Sequence, residues 1–364
     1  LPCRAKCGLK TKIKRNGVHV KIINKQLKSK MVVKSALALV AGAMISASPV
    51  QAEMIKRTFC VWDAIGANGP LYNLMKSAKP AALKWGVELE LKAYTDEKIA
   101  SEDFKAGQCD SVLITDVRVR EFNAFSGSIG ALGAIQSKKE MRMILETLSQ
   151  PKAAKLLKRG KYEIAGILPA GAVYLFANDK TIDTVAELQG KKIATFDYDS
   201  AAMHMVRHVG ASIVGSSTAN FAGKFNNGSV DLAYAPAVAY EPLELYKGVG
   251  DKGGVFSYKV AQLTFQVVID AEKFPEGFGQ NFRTYAASKY DEAFQMIADA
   301  EATIKEDLWV SPNALEAAGY GEMFRDVRIG LRDDGVYSPK MLTLMRKVRC
   351  SQNPTHAECT EKTE

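Results

Sequence analysis

Histidine is scarce in this chain. Four occur among 364 residues, and only His204, His208 and His356 lie beyond residue 52. A Ser-His-Asp hydrolase is therefore poorly supplied, although carboxylate chemistry would need no histidine. His204 and His208 stand four apart on one helical face, but "HMVRH" is not the H-E-x-x-H of a zinc enzyme, and no third ligand accompanies it. The pair reads as helix surface. A G-x-S-x-G elbow is absent. "GANGP" (Gly66 to Pro70) lacks the G-K-[ST] of a phosphate loop, and "GYGEMF" (Gly319 to Phe324) lacks the third Gly of a dinucleotide fingerprint. Both read as turns. No catalytic residue, metal or cofactor is expected, and the chain does not read as an enzyme.

Acidic residues are missing from the first 52 positions, which hold 11 Lys and Arg. The rest of the chain holds 38 basic and 40 acidic residues, so its balance is −2. The overall charge of +9 is thus a property of the leading segment, and it gives no reason to expect a nucleic-acid partner. That segment resembles a secretory signal with extra sequence in front. Met31 is the first methionine, Lys34 supplies charge, Ser35 to Ser46 is apolar, and "ASPVQA" ends in the small residues a signal peptidase reads. Cleavage is expected before Glu53, with 31–52 as signal peptide and 1–30 as an upstream artefact or an extended basic leader. The rival is a nucleic-acid arm carrying Cys3 and Cys7, whose C-x3-C lacks partner ligands.

Long apolar runs are also lacking. The stretch inside 31–52 is short and diluted by Gly, Ser and Pro, and no later run is long enough to cross a bilayer as a helix. An exported, periplasmic protein is expected. Four cysteines follow the cleavage point, Cys60, Cys109, Cys350 and Cys359, in a compartment that permits disulfides. Three pairings exist, and reduced thiols are the alternative. Cys350 and Cys359 bracket the short polar "SQNPTHAE" and can close on each other. That leaves Cys60 with Cys109, beside strands able to lie as neighbours at the required Cα separation of roughly 5.5–6 Å.

What is present is an alternation of strand and helix. "KRTFCVWD", "VELELKAY" and "DSVLITD" read as strands, separated by the helices "PLYNLMKSAKPAALKWG" and "EKIASEDFKAG". A long helix is expected over 137–159. After "EIAGILPAGAVYLFAND" the pattern restarts: strand "KKIATFD", helices "SAAMHMVRHVGA" and "SSTANFAGKFNNG", strand "VDLAYAP". The chain returns through "VFSYKVAQLTFQVVID" and ends mostly helical from 279 to 349. Two βαβ blocks joined by extended segments predict an α/β fold of two lobes, with two doubly wound sheets and hinge crossings. Lobe 1 is placed at 54–171, completed by about 266–349, lobe 2 at 172–265, and a disulfide-closed tail at 350–364.

The segment 186–236, "AELQGKKIATFDYDSAAMHMVRHVGASIVGSSTANFAGKFNNGSVDLAYAP", resembles the second-lobe core of DctP-like TRAP solute-binding proteins. Those carry a D-L-x-G-x-K-I-R strand, a helix ending in L-G-A, and an L-x-x-G-x-V-D segment before the next strand. "AYTDEKIASEDFKAGQCD" is similar to another of their segments, so the likeness covers most of 54–295. The wording, including "TFCVWDAIGANGP", resembles the AdeT group of solute-binding proteins. The resemblance implies a receptor that closes on a small polar solute by hinge motion and delivers it to membrane transporter subunits. That group has also been linked to RND-type drug efflux, so an accessory protein of an efflux assembly is the second reading. A pump is excluded for want of spanning helices, and the long heptads of a periplasmic adaptor are absent. The family's ligand-clamping Arg falls at Ala194, a frequently basic position at Tyr174, and a common Asn at Ala235. Nothing replaces the two-point grip of an Arg fork at that position.

Three expected strands end at aspartate: Asp63, Asp116 and Asp197. Trp62, Tyr174, Tyr198, Tyr234 and Tyr240 sit beside or opposite them. Helix capping explains Asp116 most readily, and Asp63 and Asp197 less well, since Asp199 or Ser200 can cap the helix after Asp197. Carboxylates beside aromatic faces favour a cationic or neutral polar ligand. Arg118 and Arg120 argue for an anion if they point inward.

Overall fold

The computed structural model of the chain describes residues 54–364, so the expectations for the basic leader and signal peptide fall outside the described residues. β1 (Ile55–Trp62), α1 (Pro70–Lys84), β2 (Val87–Tyr94), α2 (Glu97–Lys105) and β3 (Ser111–Thr115) follow the expected alternation. Pro70 opens α1 where no N–H is needed, and the turn into β2 uses Gly86 at φ 78°, open to Gly at little cost. Two single turns, α3 (Asp116–Val119) and α4 (Ala124–Gly127), precede α5 (Lys138–Ser149), which starts with a Ser137/Glu140 capping box. The helix expected over 137–159 stops at Ser149, because Pro151 cannot donate to it. Lys158–Arg159 form β4 instead, against the start of β5 (Tyr162–Ala177).

The second block holds β6 (Lys192–Phe196), α6 (Ser200–His208), β7 (Ser212–Ser216), α7 (Phe221–Asn226), β8 (Leu232–Pro236) and α8 (Leu245–Val249). β7 was not expected, and the helix placed from Ser216 onward begins only at Phe221. Five residues with Gly215 among them and no fully buried apolar side chain declare no period. β9 (Gly254–Asp270), α9 (Phe278–Ala287), α10 (Tyr290–Thr303), β10 (Trp309–Val310), α11 (Ala314–Asp333), α12 (Pro339–Gln352) and α13 (Ala357–Glu361) complete the chain.

The strands form one mixed sheet, β2-β1-β3-β9-β5-β8-β6-β7, with β4 and β10 beside it. β1 is parallel to β2 and β3, and β6 to β7 and β8; β5 and β9 run antiparallel to their neighbours within the main path. The two expected sheets are therefore halves of one. β5 and β9, 16 and 17 residues long, pass through both halves and are the two crossings. Their pairing shifts at Pro169/Gly171 and Val173/Leu175, where the ladder bends. The half with β1–β3 is the first lobe below, and the half with β6–β8 the second.

Helices cover both faces of the first lobe. Ile114, Ile144, Leu145 and Met341 are buried on one side, and Phe59, Met75, Leu89 and Phe282 on the other. In the second lobe Phe176, Phe221 and Phe225 share one cluster, and Ile193, Val206 and Leu232 another. Cys60 of β1 and Cys109, two residues before the neighbouring strand β3, are joined at 5.9 Å between Cα atoms, the expected pairing. Cys350 and Cys359 are joined at 5.6 Å. The tail is more structured than a closed loop, since the bridge links α12 to α13. It is also clamped by charge: the Glu364 carboxylate accepts from Arg328 Nε (2.7 Å) and Arg349 Nη2 (2.6 Å), and its backbone oxygen from Arg346 Nε (2.8 Å).

Candidate functional site: a cavity between the lobes

Where parallel strands end, the backbone turns away and leaves a crevice at their carboxyl ends. Here the ends of β1, β3, β6 and β8 from both lobes wall one cavity of about 620 Å³. Its lining is mostly carbon, with Trp62, Phe196, Tyr234, Phe256, Phe265 and Phe324 among its aromatic members. The size lies within the range of clefts that enclose an organic ligand.

Trp62 is buried in this wall against Phe265 (6.0 Å between rings), and its Nε1–H has no partner among the described residues. Asp63 also borders the cavity, but its carboxylate serves α1. Leu71 and Tyr72 N–H donate to Oδ2 (2.8 and 3.1 Å) and Ile65 N–H to Oδ1 (2.9 Å). The expectation that helix capping explains Asp63 less well than Asp116 is therefore corrected: the loop folds back and brings the first turn of α1 to Asp63. Gly69 makes this approach feasible, since a Cβ there would stand 1.9 Å from Asp63 Oδ1. Gly69→Ala should destabilise the protein by about 1–3 kcal/mol, read in urea unfolding. An unchanged midpoint would show that the loop absorbs the methyl group.

Asp116 is the reverse case. It is the first residue of α3 and caps nothing. Oδ1 accepts weakly from Thr264 N–H (3.4 Å), while Oδ2 is buried without a partner among the described residues. Loss of hydration pushes its pKa up to about 7, against the lowering pull of Arg120. Tyr234 also stands in the wall, its hydroxyl accepting from Phe196 N–H (3.1 Å), and burial holds its pKa well above the usual tyrosine value.

The other expected site residues are placed elsewhere. Successive residues of a strand face opposite ways, so Val173 and Leu175 line the cavity and Tyr174 does not. Tyr174 packs on Trp309 and donates to Glu301 (2.7 Å). Tyr240 is buried against Phe176. Asp197 is exposed with its carboxylate toward Gly215 of β7. Ala194, at the resembling family's Arg position, is sealed in the second-lobe core. Arg118 lies outside the wall, and the cationic member is Arg120.

Arg120, on the first lobe, reaches Asp199 on the second at 3.0 Å and donates through Nε to Gly127 O (3.1 Å). Asp199 also caps α6 by accepting from Ala202 N–H (3.2 Å). Beside this pair is a second crossing. Tyr198 of the second lobe donates to Glu97 of α2 (2.7 Å), and its ring lies 3.5 Å beneath the Arg118 guanidinium. Glu97 further accepts from Thr115 N–H and Oγ1–H, both at 2.6 Å, and burial raises its pKa despite these bonds. Glu97 was missed because an N1 glutamate of an amphipathic helix carries no signal of burial. Asp199 had been noted only as a cap.

Two halves of a sheet closing on a ligand-sized cavity define a periplasmic solute-binding fold. Solved TRAP periplasmic solute-binding proteins share it. One from Desulfovibrio salexigens, bound to orotic acid, matches with a TM-score of 0.65 at 13% identity, over 81% of this chain and 97% of that one. One from Xanthobacter autotrophicus Py2, bound to β-D-galacturonate, matches at 0.62 and 15% identity, over 80% and 99%. A sequence profile of the solute-binding protein AdeT 1/2 family covers residues 74–364, and the chain belongs to that family. It is 42% identical over 299 residues to the probable solute-binding protein AdeT1 of Acinetobacter baumannii, covering 82% of this chain and 98% of that protein. To AdeT2 of the same organism it is 26% identical over 233 residues, 64% and 98% of the two.

Proposed function

We propose that this protein is an exported receptor that traps an organic solute between its lobes and hands it to a membrane transporter, performing no chemistry on it. The observation that carries this is the cavity itself, walled by both lobes and bridged by Arg120–Asp199 and Glu97–Tyr198. Such bridges favour the closed form, and a solute adds contacts available only there. Residues 31–52 would direct export to the periplasm, and among the described residues no helix is long and apolar enough to cross a membrane. The accessory role in an efflux assembly has no structural feature of the described residues to rest on.

A thermal-shift screen of small organic compounds tests the receptor reading. A ligand at one hundred times its Kd adds about 2.7 kcal/mol to the native state, a rise of several degrees confined to a few related compounds. A broad library with no hit would refute it.

A further inference from the structure

The lining of the cavity is lopsided in charge. Among the described residues it contains six carboxylates, Asp63, Asp116, Asp183, Asp199, Glu292 and Glu316, and one guanidinium, Arg120; no lysine or histidine lines it. The guanidinium is already committed to Asp199 and to the Gly127 carbonyl. A carboxylate ligand would have to displace Asp199 from Arg120 and would then face Asp116 and Asp63 across an apolar space. Asp63 is partly compensated by the N-terminus of α1, but Asp116 has no such relief. Asp183 and Glu292 are exposed at the mouth, where their charge draws cations and repels anions.

Resting on the receptor reading above, we propose that the solute is a largely apolar organic cation, an amine on an aromatic or aliphatic frame, held between aromatic walls with Asp116 as its counter-charge. Two orphan groups make this more than an excess of acid. Asp116 Oδ2 needs a hydrogen-bond donor, and Trp62 Nε1, at the end of the adjacent strand, needs an acceptor. An ammonium carrying a neighbouring ether or hydroxyl oxygen answers both. Trp62, Phe265, Tyr234 and Phe196 supply ring faces, which attract a cation and repel an anion. The six carboxylates come from α1's entry loop, α3, the second lobe and the C-terminal helices, so the bias belongs to the whole cleft rather than to one cluster.

The test compares three probes with one carbon frame: 4-phenylbutylamine, 4-phenylbutanol and 4-phenylbutyrate. Each is titrated calorimetrically into the full chain at pH 8, with D-galacturonate as a fourth arm. The amine should bind at least tenfold more tightly than the acid, with the alcohol between them. Asp116→Asn should weaken the amine about tenfold and leave the alcohol within twofold. The order of affinities in the unmodified protein decides the matter even if the variant fails to fold. Tighter binding of phenylbutyrate or galacturonate overturns the cation while leaving a receptor in place. Binding of none of the four also overturns it, and the broad screen then judges the receptor separately.

Discussion

Arg120→Met should lower stability at pH 8 by about 3 kcal/mol, a fall in Tm of roughly 5–10 °C. The substitution keeps the length of the side chain, so little packing is lost. What is lost is the guanidinium that serves two buried carboxylates, Asp199 and Asp116. Asp199 would keep its bond from Ala202 N–H at the start of α6 but lose its partner at 3.0 Å, and Asp116 would lose the charge that lowers its pKa. Removing one member of a buried pair leaves the other desolvated, which is why the loss exceeds that of a surface ion pair. At pH 5, where Asp116 is neutral, the part of the loss due to Asp116 should vanish. Arg120→Met combined with Asp199→Asn should recover part of the loss, because neither charge is then stranded. A Tm within a degree of the parent protein at pH 8 would show that the pair contributes nothing. The pair also crosses the lobes, so the unliganded variant should scatter X-rays as a more open molecule.

The elements that position this site were legible where a periodic pattern met a stop signal. β2 and α1 fall where alternation, Pro70 and Gly86 place them. β7 was invisible because an edge strand of five residues, only partly covered on either face, needs neither alternation nor an apolar run. The strand-end aspartates were readable as positions but not as roles. Asp63, Asp116 and Asp197 sit in equivalent places after β1, β3 and β6, yet one caps α1, one is buried without a partner, and one is exposed. Their fates are set by where the following loop goes, and loop paths are tertiary information. The aromatics failed for a related reason. Tyr174 and Tyr240 stand beside cavity residues in sequence but point into the second-lobe core, and only the register of β5 separates Tyr174 from Val173 and Leu175. The lobe-to-lobe contacts of Arg118, Arg120 and Glu97 join residues far apart in the chain, and no local pattern announces them.

Asp116→Asn should stabilise the protein, and by an amount that depends on pH. In the unfolded chain this carboxyl ionises near 3.8, whereas in the native structure it does so near 7. The native state therefore holds a proton that the unfolded state releases throughout that interval, and stability falls as pH rises across it. Below 3.8 both states are protonated and the aspartate costs nothing. Above about 7 both are ionised and the cost is complete, at about 4 kcal/mol for a shift of roughly three pKa units. The charges that set this balance are Arg120, which lowers the pKa, and Asp199 and Glu97, which raise it; removal from water is the largest contribution. Asparagine retains an oxygen for Thr264 N–H and carries no charge to bury. The variant and parent should thus melt together near pH 4 and separate progressively to a gap of roughly 5–10 °C at pH 8, the variant being the more stable. An equal gap at both pH values would mean that packing, not ionisation, distinguishes the two side chains. A less stable variant at pH 8 would mean that the ionised carboxylate is already compensated in the empty protein. The proposed ligand would account for a buried carboxyl kept at such a cost on the wall of a cavity whose arginine is committed: an ammonium in the cleft would pull the Asp116 pKa down and release a proton on binding near neutral pH.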